Sequence, residues 1–169
     1  STIKKSCKKN THIKIVSFSS IFHSITIISS PQPLLLCTYM TIIDTHTHLY
    51  LEEFSTDIDQ VLNRATTEGI TKFYLPNIDS SSIDPMLQLE KKHPGKCFAM
   101  MGLHPCSVKE NYQAEIIIVE EWLSKSTFAA IGEIGLDYYW DQTFIAEQKI
   151  VFRTQIELAQ YYDLPIVIH

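Results

Sequence analysis

The sequence lacks the marks of several common functions. No G-x-G-x-x-G follows its first apolar run, so a dinucleotide-binding fold has no support. Its four cysteines, at 7, 37, 97 and 106, form no C-x-x-C, which argues against a zinc–thiolate cluster. No stretch supplies the ~20 predominantly apolar residues that a transmembrane helix needs. Past residue 39 the chain is also short of positive charge, with nine basic groups against nineteen acidic ones and a net charge of −10. Such a body carries no broad basic patch for nucleic acid. A phosphate substrate stays open, because bound cations reverse the local sign.

Residues 1–39 differ in kind. They hold Lys4, Lys5, Lys8, Lys9 and Lys14 and no acid. Their Ile- and Phe-rich stretch is broken by Ser17, Ser19, Ser20, His23 and Ser24, and no small-x-small cleavage site follows. The chain starts at Ser1, and its first methionine is Met40. We read 1–39 as an extension foreign to the body and without stable structure, with a targeting peptide as the alternative. Cys97 lies in an apolar run and reads as a small core residue. Thiols without a disulfide framework place the body in a reducing compartment, the cytoplasm.

From Met40 the pattern alternates between short apolar runs and helical periodicity. Strands are expected at Ile42–Asp44, Thr71–Leu75, Cys97–Met101, Phe128–Ile131 and Pro165–Ile168. Between them, Thr56 can cap a helix whose Ile58, Val61, Leu62 and Ala65 share a face, and Gly69 stops it. Ser80–Ser82 opens a second helix with Pro85 in its first turn. Further helices are expected over 114–124 and 144–162. Strand–helix alternation with short loops means parallel βαβ units, in a doubly wound sheet or a (β/α)₈ barrel. Five strands in about 130 residues are little more than half of a barrel that typically needs ~250, so the expectation is a TIM (β/α)₈ barrel truncated after strand five.

The barrel is favoured by where the polar residues fall. His46 and His48 follow the first strand at i, i+2, a spacing that turns both imidazoles to one face. His104 follows strand three, Glu133 follows strand four on a glycine-flanked turn, and His169 ends strand five. In a parallel sheet these ends share one rim. Imidazole with carboxylate suits Zn²⁺ and related divalent ions, and a carboxylate can bridge two of them. A lone strand-end histidine is more often a hydrogen-bonding loop residue; the convergence of several is what favours ligation by His46, His48, Glu133 and His169. His104 reads as a group that touches substrate or supports a ligand rather than as a ligand itself, and Asp44 as structural or as orienting a histidine. Tyr138, Tyr139 and Trp140 either line the mouth, where they can stack on bases, or cover the core. His12, His23 and His93 are background.

Asp44-Thr45-His46-Thr47-His48, Gly102-Leu103-His104-Pro105, the run from Gly132-Glu133 to Asp137-Tyr138, and Pro165-Ile166-Val167-Ile168-His169 together resemble the TatD-family metal-dependent hydrolases. Glu147-Gln148, Phe152, Gln155, Leu158 and Ala159 resemble the family's helix before strand five. The resemblance covers 40–169 and none of 1–39. It implies a TIM barrel, two divalent ions (Mg²⁺, Zn²⁺ or Mn²⁺) and deoxyribonuclease activity, usually 3′→5′ exonuclease, on DNA that is single-stranded. By it, His46 and His48 bind one metal, Glu133 bridges two, and His169 binds the second. The family's further histidine after strand six and its aspartate after strand eight have no counterpart here, so the catalytic aspartate is expected beyond the end of the chain and the 169 residues alone are expected to be inactive. The same cage would polarise a carboxylic ester or amide, and a non-catalytic metal-binding fragment is the third reading.

Overall fold

The structure is a computed structural model and describes residues 41–169; the expectation for 1–39 lies outside the described residues. Among the described residues five strands alternate with four α-helices: β1 (Ile42–Asp44), α1 (Ile58–Thr67), β2 (Ile70–Pro76), α2 (Ile83–Lys92), β3 (Cys97–Met100), α3 (Tyr112–Lys125), β4 (Ile131–Ile134), α4 (Ile145–Tyr161) and β5 (Ile166–Ile168). β1, β2 and β3 pair in parallel in that order, and β4 pairs in parallel with β5. A parallel bridge between Met101 and Ile131 joins the two groups, reinforced by Gly132 N–H donating to the Met101 carbonyl at 2.9 Å. Space therefore follows sequence from β1 to β5 with no reversal. A doubly wound sheet reverses its strand order at a switch point; a barrel does not.

Apolar periodicity accounts for most of the elements. Phe73, Leu75, Ala99 and Met101 are buried along β2 and the β3 edge, against Leu62 of α1 and Met86 of α2. Each large side chain so buried contributes ~1.5–3 kcal/mol. Gly69, at φ 91°, ends α1 as expected. The turn at Ser80–Ser82 is closed by a capping box between Asp79 and Ser82.

Two expectations are corrected. Thr56 does not cap α1: the N-cap position is Asp57, whose side chain makes no capping bond and instead meets Arg64 Nη2 at 3.3 Å. The fourth strand is Ile131–Ile134, three residues later than expected, so Glu133 lies inside the strand rather than after it. Gly132 and Gly135 suggested a strand end, but Gly132 is a packing residue. A Cβ added there would stand 2.7 Å from Val167 Cβ, so a side chain at 132 would push β5 away.

Candidate metal centre

The side chains expected at the strand ends gather around one carboxylate. Glu133 is 5 % exposed. Its Oε2 lies 2.9 Å from His46 Nε2 and 3.7 Å from His48 Nε2. Its Oε1 lies 2.5 Å from His169 Nδ1 and 3.7 Å from His104 Nε2. Each oxygen thus serves a different pair of imidazoles. Burial opposes ionisation of Glu133, yet hydrogen bonds from His48 and His169 and the nearby His46 and His104 outweigh it and hold its pKa down at about 2.

On the β1 side the histidines are placed by close sequence neighbours together with the edge of β2. β1 has ended by His46, but Thr47 N–H still donates to the Tyr74 carbonyl at 3.0 Å, which keeps 46–48 extended alongside β2. Asp44 Oδ1 accepts the His46 backbone N–H at 3.2 Å, so Asp44 steadies the chain rather than the ring. Tyr50 Oη lies 2.8 Å from His48 Nδ1 and donates its own proton to the Pro76 carbonyl at 2.5 Å. The hydroxyl must then accept from His48, which puts a proton on Nδ1. Nε2 can face Glu133 only with a second proton on it or with a cation between the two.

On the β4–β5 side the placement is long-range. His169 Nε2 lies 2.9 Å from Asp137 Oδ2, and Cys106 Sγ donates to the same oxygen at 3.3 Å. Burial disfavours the charged His169, but its bonds to Asp137 and Glu133 prevail and raise its pKa. Gln148 of α4 clamps the Asp137 backbone, its Oε1 accepting the N–H at 2.9 Å and its Nε2 donating to the carbonyl at 3.0 Å. Two helical turns on, Gln155 clamps Leu103 in the same way, at 2.7 and 3.1 Å. The clamped Leu103 presents His104, whose Nδ1 accepts the Cys106 N–H at 3.1 Å. A neutral His104 ring therefore carries its proton on Nε2, facing the centre. Burial holds the His104 pKa below its ordinary value, which favours that neutral donor.

The donors fit a divalent cation. Ligand atoms of His46, His48 and Glu133 lie within 4.8 Å of one another. Two ligands on one tetrahedral zinc stand ~3.4 Å apart, and the contacts to Glu133 Oε2 at 2.9 and 3.7 Å bracket that value. A second group, His104, Cys106 and His169, is equally close, although Asp137 already engages two of its members.

The structure brings together His46, His48, Glu133, His169 and His104, the side chains singled out in the sequence, and adds supports that were not. Tyr50, Asn77 and the roles of Asp137, Gln148 and Gln155 went unread. Asn77 is fully buried. Its backbone N–H is shared by the Met100 and Gly132 carbonyls at 3.0 and 3.2 Å, and its Nδ2 donates to the Gly102 carbonyl at 2.8 Å. Tying β2, β3 and β4 just below the rim is a role that an asparagine after a strand does not announce. Asp137 carried a signal: it is an acid four residues beyond Glu133 in the loop that reaches the rim.

Comparison with known proteins matches this architecture. The family model described as TatD related DNase matches residues 43–169. The metal-dependent hydrolase YabD of Bacillus subtilis is 34% identical over 126 residues, which are 75% of this chain and 49% of YabD. The 3′-5′ ssDNA/RNA exonuclease TatD of Musicola paradisiaca is 28% identical over 126 residues, 75% of this chain and 48% of that protein. The crystal structure of the TatD homologue YjjV from Escherichia coli superposes with a TM-score of 0.69 at 29% identity, over 75% of this chain and 49% of that one. The chain spans about half the length of the relatives it matches. A family model that runs from β1 to the last residue, with relatives matching over the same stretch, leaves one assignment: the chain belongs to the TatD family of metal-dependent hydrolases.

Proposed function

We propose that residues 40–169 form strands one to five of a (β/α)₈ barrel, with 1–39 outside it, and that the protein hydrolyses phosphodiester bonds of single-stranded DNA from the 3′ end. The reading is carried by the division of Glu133, with Oε2 turned to His46 and His48 and Oε1 turned to His169 and His104. That arrangement suits a carboxylate bridging two ions. His46, His48 and Glu133 would hold one, and Glu133 with His169 the other. Divalent ions held there supply positive charge for phosphate oxygens and lower the pKa of water.

The chain's own residues have separable tasks. Tyr50 fixes the His48 tautomer and leaves Nε2 for the metal. Asp137 does the same for His169, holding Nε2 so that Nδ1 faces Glu133. His104 would donate its Nε2 proton to a phosphate oxygen. A cytoplasmic setting is part of the reading, supported by the free thiols of Cys97 and Cys106. Among the described residues no helix is long and apolar enough to cross a membrane.

Metal binding and cleavage test the proposal together. Titration calorimetry should find two divalent ions per chain, and Mn²⁺ should give a spin-coupled pair by electron paramagnetic resonance that Glu133→Ala abolishes. The nuclease reading expects EDTA-sensitive release of nucleotides from 3′-labelled single strands by protein that contains this chain. Turnover of carboxylic esters without cleavage of DNA would replace it with the acyl-hydrolase reading.

A further inference from the structure

Tyr139 and Trp140 are 82 % and 76 % exposed. Such exposure removes core cover, one of the two roles their sequence position allowed. The loop that carries them is nevertheless well tied. Asp137 Oδ1 accepts the N–H groups of Tyr139 and Trp140 at 2.8 and 3.2 Å. Gln142 Nε2 donates to the Tyr138 carbonyl at 2.9 Å, and Lys109 Nζ reaches Asp141 Oδ2 at 2.7 Å. The two rings meet edge to face, with centroids 4.9 Å apart and an interplanar angle of 90°.

The position of the pair points to its ligand. Asp137 holds the aromatic loop through Oδ1 and His169 through Oδ2. The rings and the candidate metal ligand therefore hang from one carboxylate, itself clamped by Gln148. The body has a net charge of −10 over residues 40–169, so its overall charge does not favour a polyanion. On this body, cations in the centre and contacts that do not depend on charge would supply the affinity. Stacking of bases on aromatic faces is such a contact, and it tolerates any sequence.

We infer that Tyr139 and Trp140 form a base-stacking subsite for single-stranded nucleic acid, set on the rim beside the metal centre. The inference rests on the nuclease reading and adds what holds the strand there. The two exposed rings stand perpendicular to one another, and the tied loop means that little ordering is needed on binding.

The test uses the full chain in Mg²⁺ with two hydrolysis-resistant phosphorothioate strands of equal length, oligo(dT) and its abasic counterpart. The chain has two tryptophans, Trp122 and Trp140, so a Trp122→Phe background makes emission report on Trp140. Oligo(dT) should quench that emission and the abasic strand should not. The double variant Tyr139→Ala, Trp140→Ala should bind oligo(dT) about tenfold more weakly and the abasic strand as before. Tyr139→Phe with Trp140→Phe, which keeps the aromatic faces, should restore oligo(dT) binding. Undiminished binding of oligo(dT) by the alanine variant overturns the stacking subsite and leaves the nuclease reading in place. Failure of the parent protein to bind either strand overturns both.

Discussion

The two sides of the rim reach Glu133 by different means. His46 and His48 take their side-chain and cap contacts from near neighbours in sequence, Asp44 on the backbone and the Tyr50 hydroxyl on the ring, with β2 holding the segment through Tyr74 and Pro76. Glu133, Asp137 and His169 are steered from afar, by Gln148 of α4, by Cys106 after β3 and by the tight approach of β5 to Gly132. Exposure does not follow the same division: the His169 side chain is 32% exposed, between His46 at 37% and His48 at 25%, and only Glu133, at 6%, is deeply buried. The first side is a local motif laid on the sheet. The second is part of the packing, so damage there should cost stability as well as metal.

Gly132→Ala should have the largest effect. The added methyl would meet Val167 Cβ at 2.7 Å, and overpacking of a rigid contact costs about 1–3 kcal/mol. Because β4 and β5 must part to relieve it, Glu133 and His169 would separate too. Urea unfolding should show the loss in metal-free protein, and calorimetry should show metal affinity falling with it. Unchanged stability would mean that β5 gives way freely and that the β4–β5 side is no stiffer than the other.

Tyr50→Phe is the matching change on the β1 side and should be milder for the fold. It deprives His48 Nδ1 of its partner and removes a hydrogen bond to Pro76, a cost of about 1 kcal/mol. Its effect on metal should be disproportionate, since loss of a ligand's orienting partner typically lowers affinity ~10–100-fold. A ratio opposite to that of Gly132→Ala is the expected signature. If Tyr50→Phe destabilises as much as Gly132→Ala, the local-versus-packed distinction fails.

The same distinction explains what the sequence revealed. Strand–helix alternation was legible because each apolar run repeats with a clear period, and His46 with His48 because two rare side chains share one short segment. Glu133 was found from its glycine-flanked motif but placed after the strand, since glycine usually marks an end and only the proximity of Val167 shows why it belongs inside. Gln155 and Leu103 are 52 residues apart. A glutamine bonding a backbone amide leaves no trace in composition or period, and Asn77 hides for the same reason. Tyr139 and Trp140 could be read either way, because the sequence does not say whether an aromatic in a loop faces in or out.

A pH profile of metal-free protein should separate the sides with the smallest effect of the three. Glu133 is held at about 2 against an ordinary 4.5, so its contribution to stability is present above about pH 4.5 and lost as pH falls toward 2. His169 is raised above its ordinary 6.5 by Asp137 and Glu133. Its contribution is complete below about pH 6.5 and lost as pH rises through the raised value. Urea midpoints measured with EDTA should therefore form a plateau between these limits and decline on both sides. His169→Gln should flatten the alkaline limb. On the proposed ligation by His169, metal should invert it, because ligation would need the Nδ1 proton gone and is favoured as pH rises. An alkaline limb that survives His169→Gln would show that its source lies away from β5, and the packed side of the rim would lose its claim to the molecule's pH response.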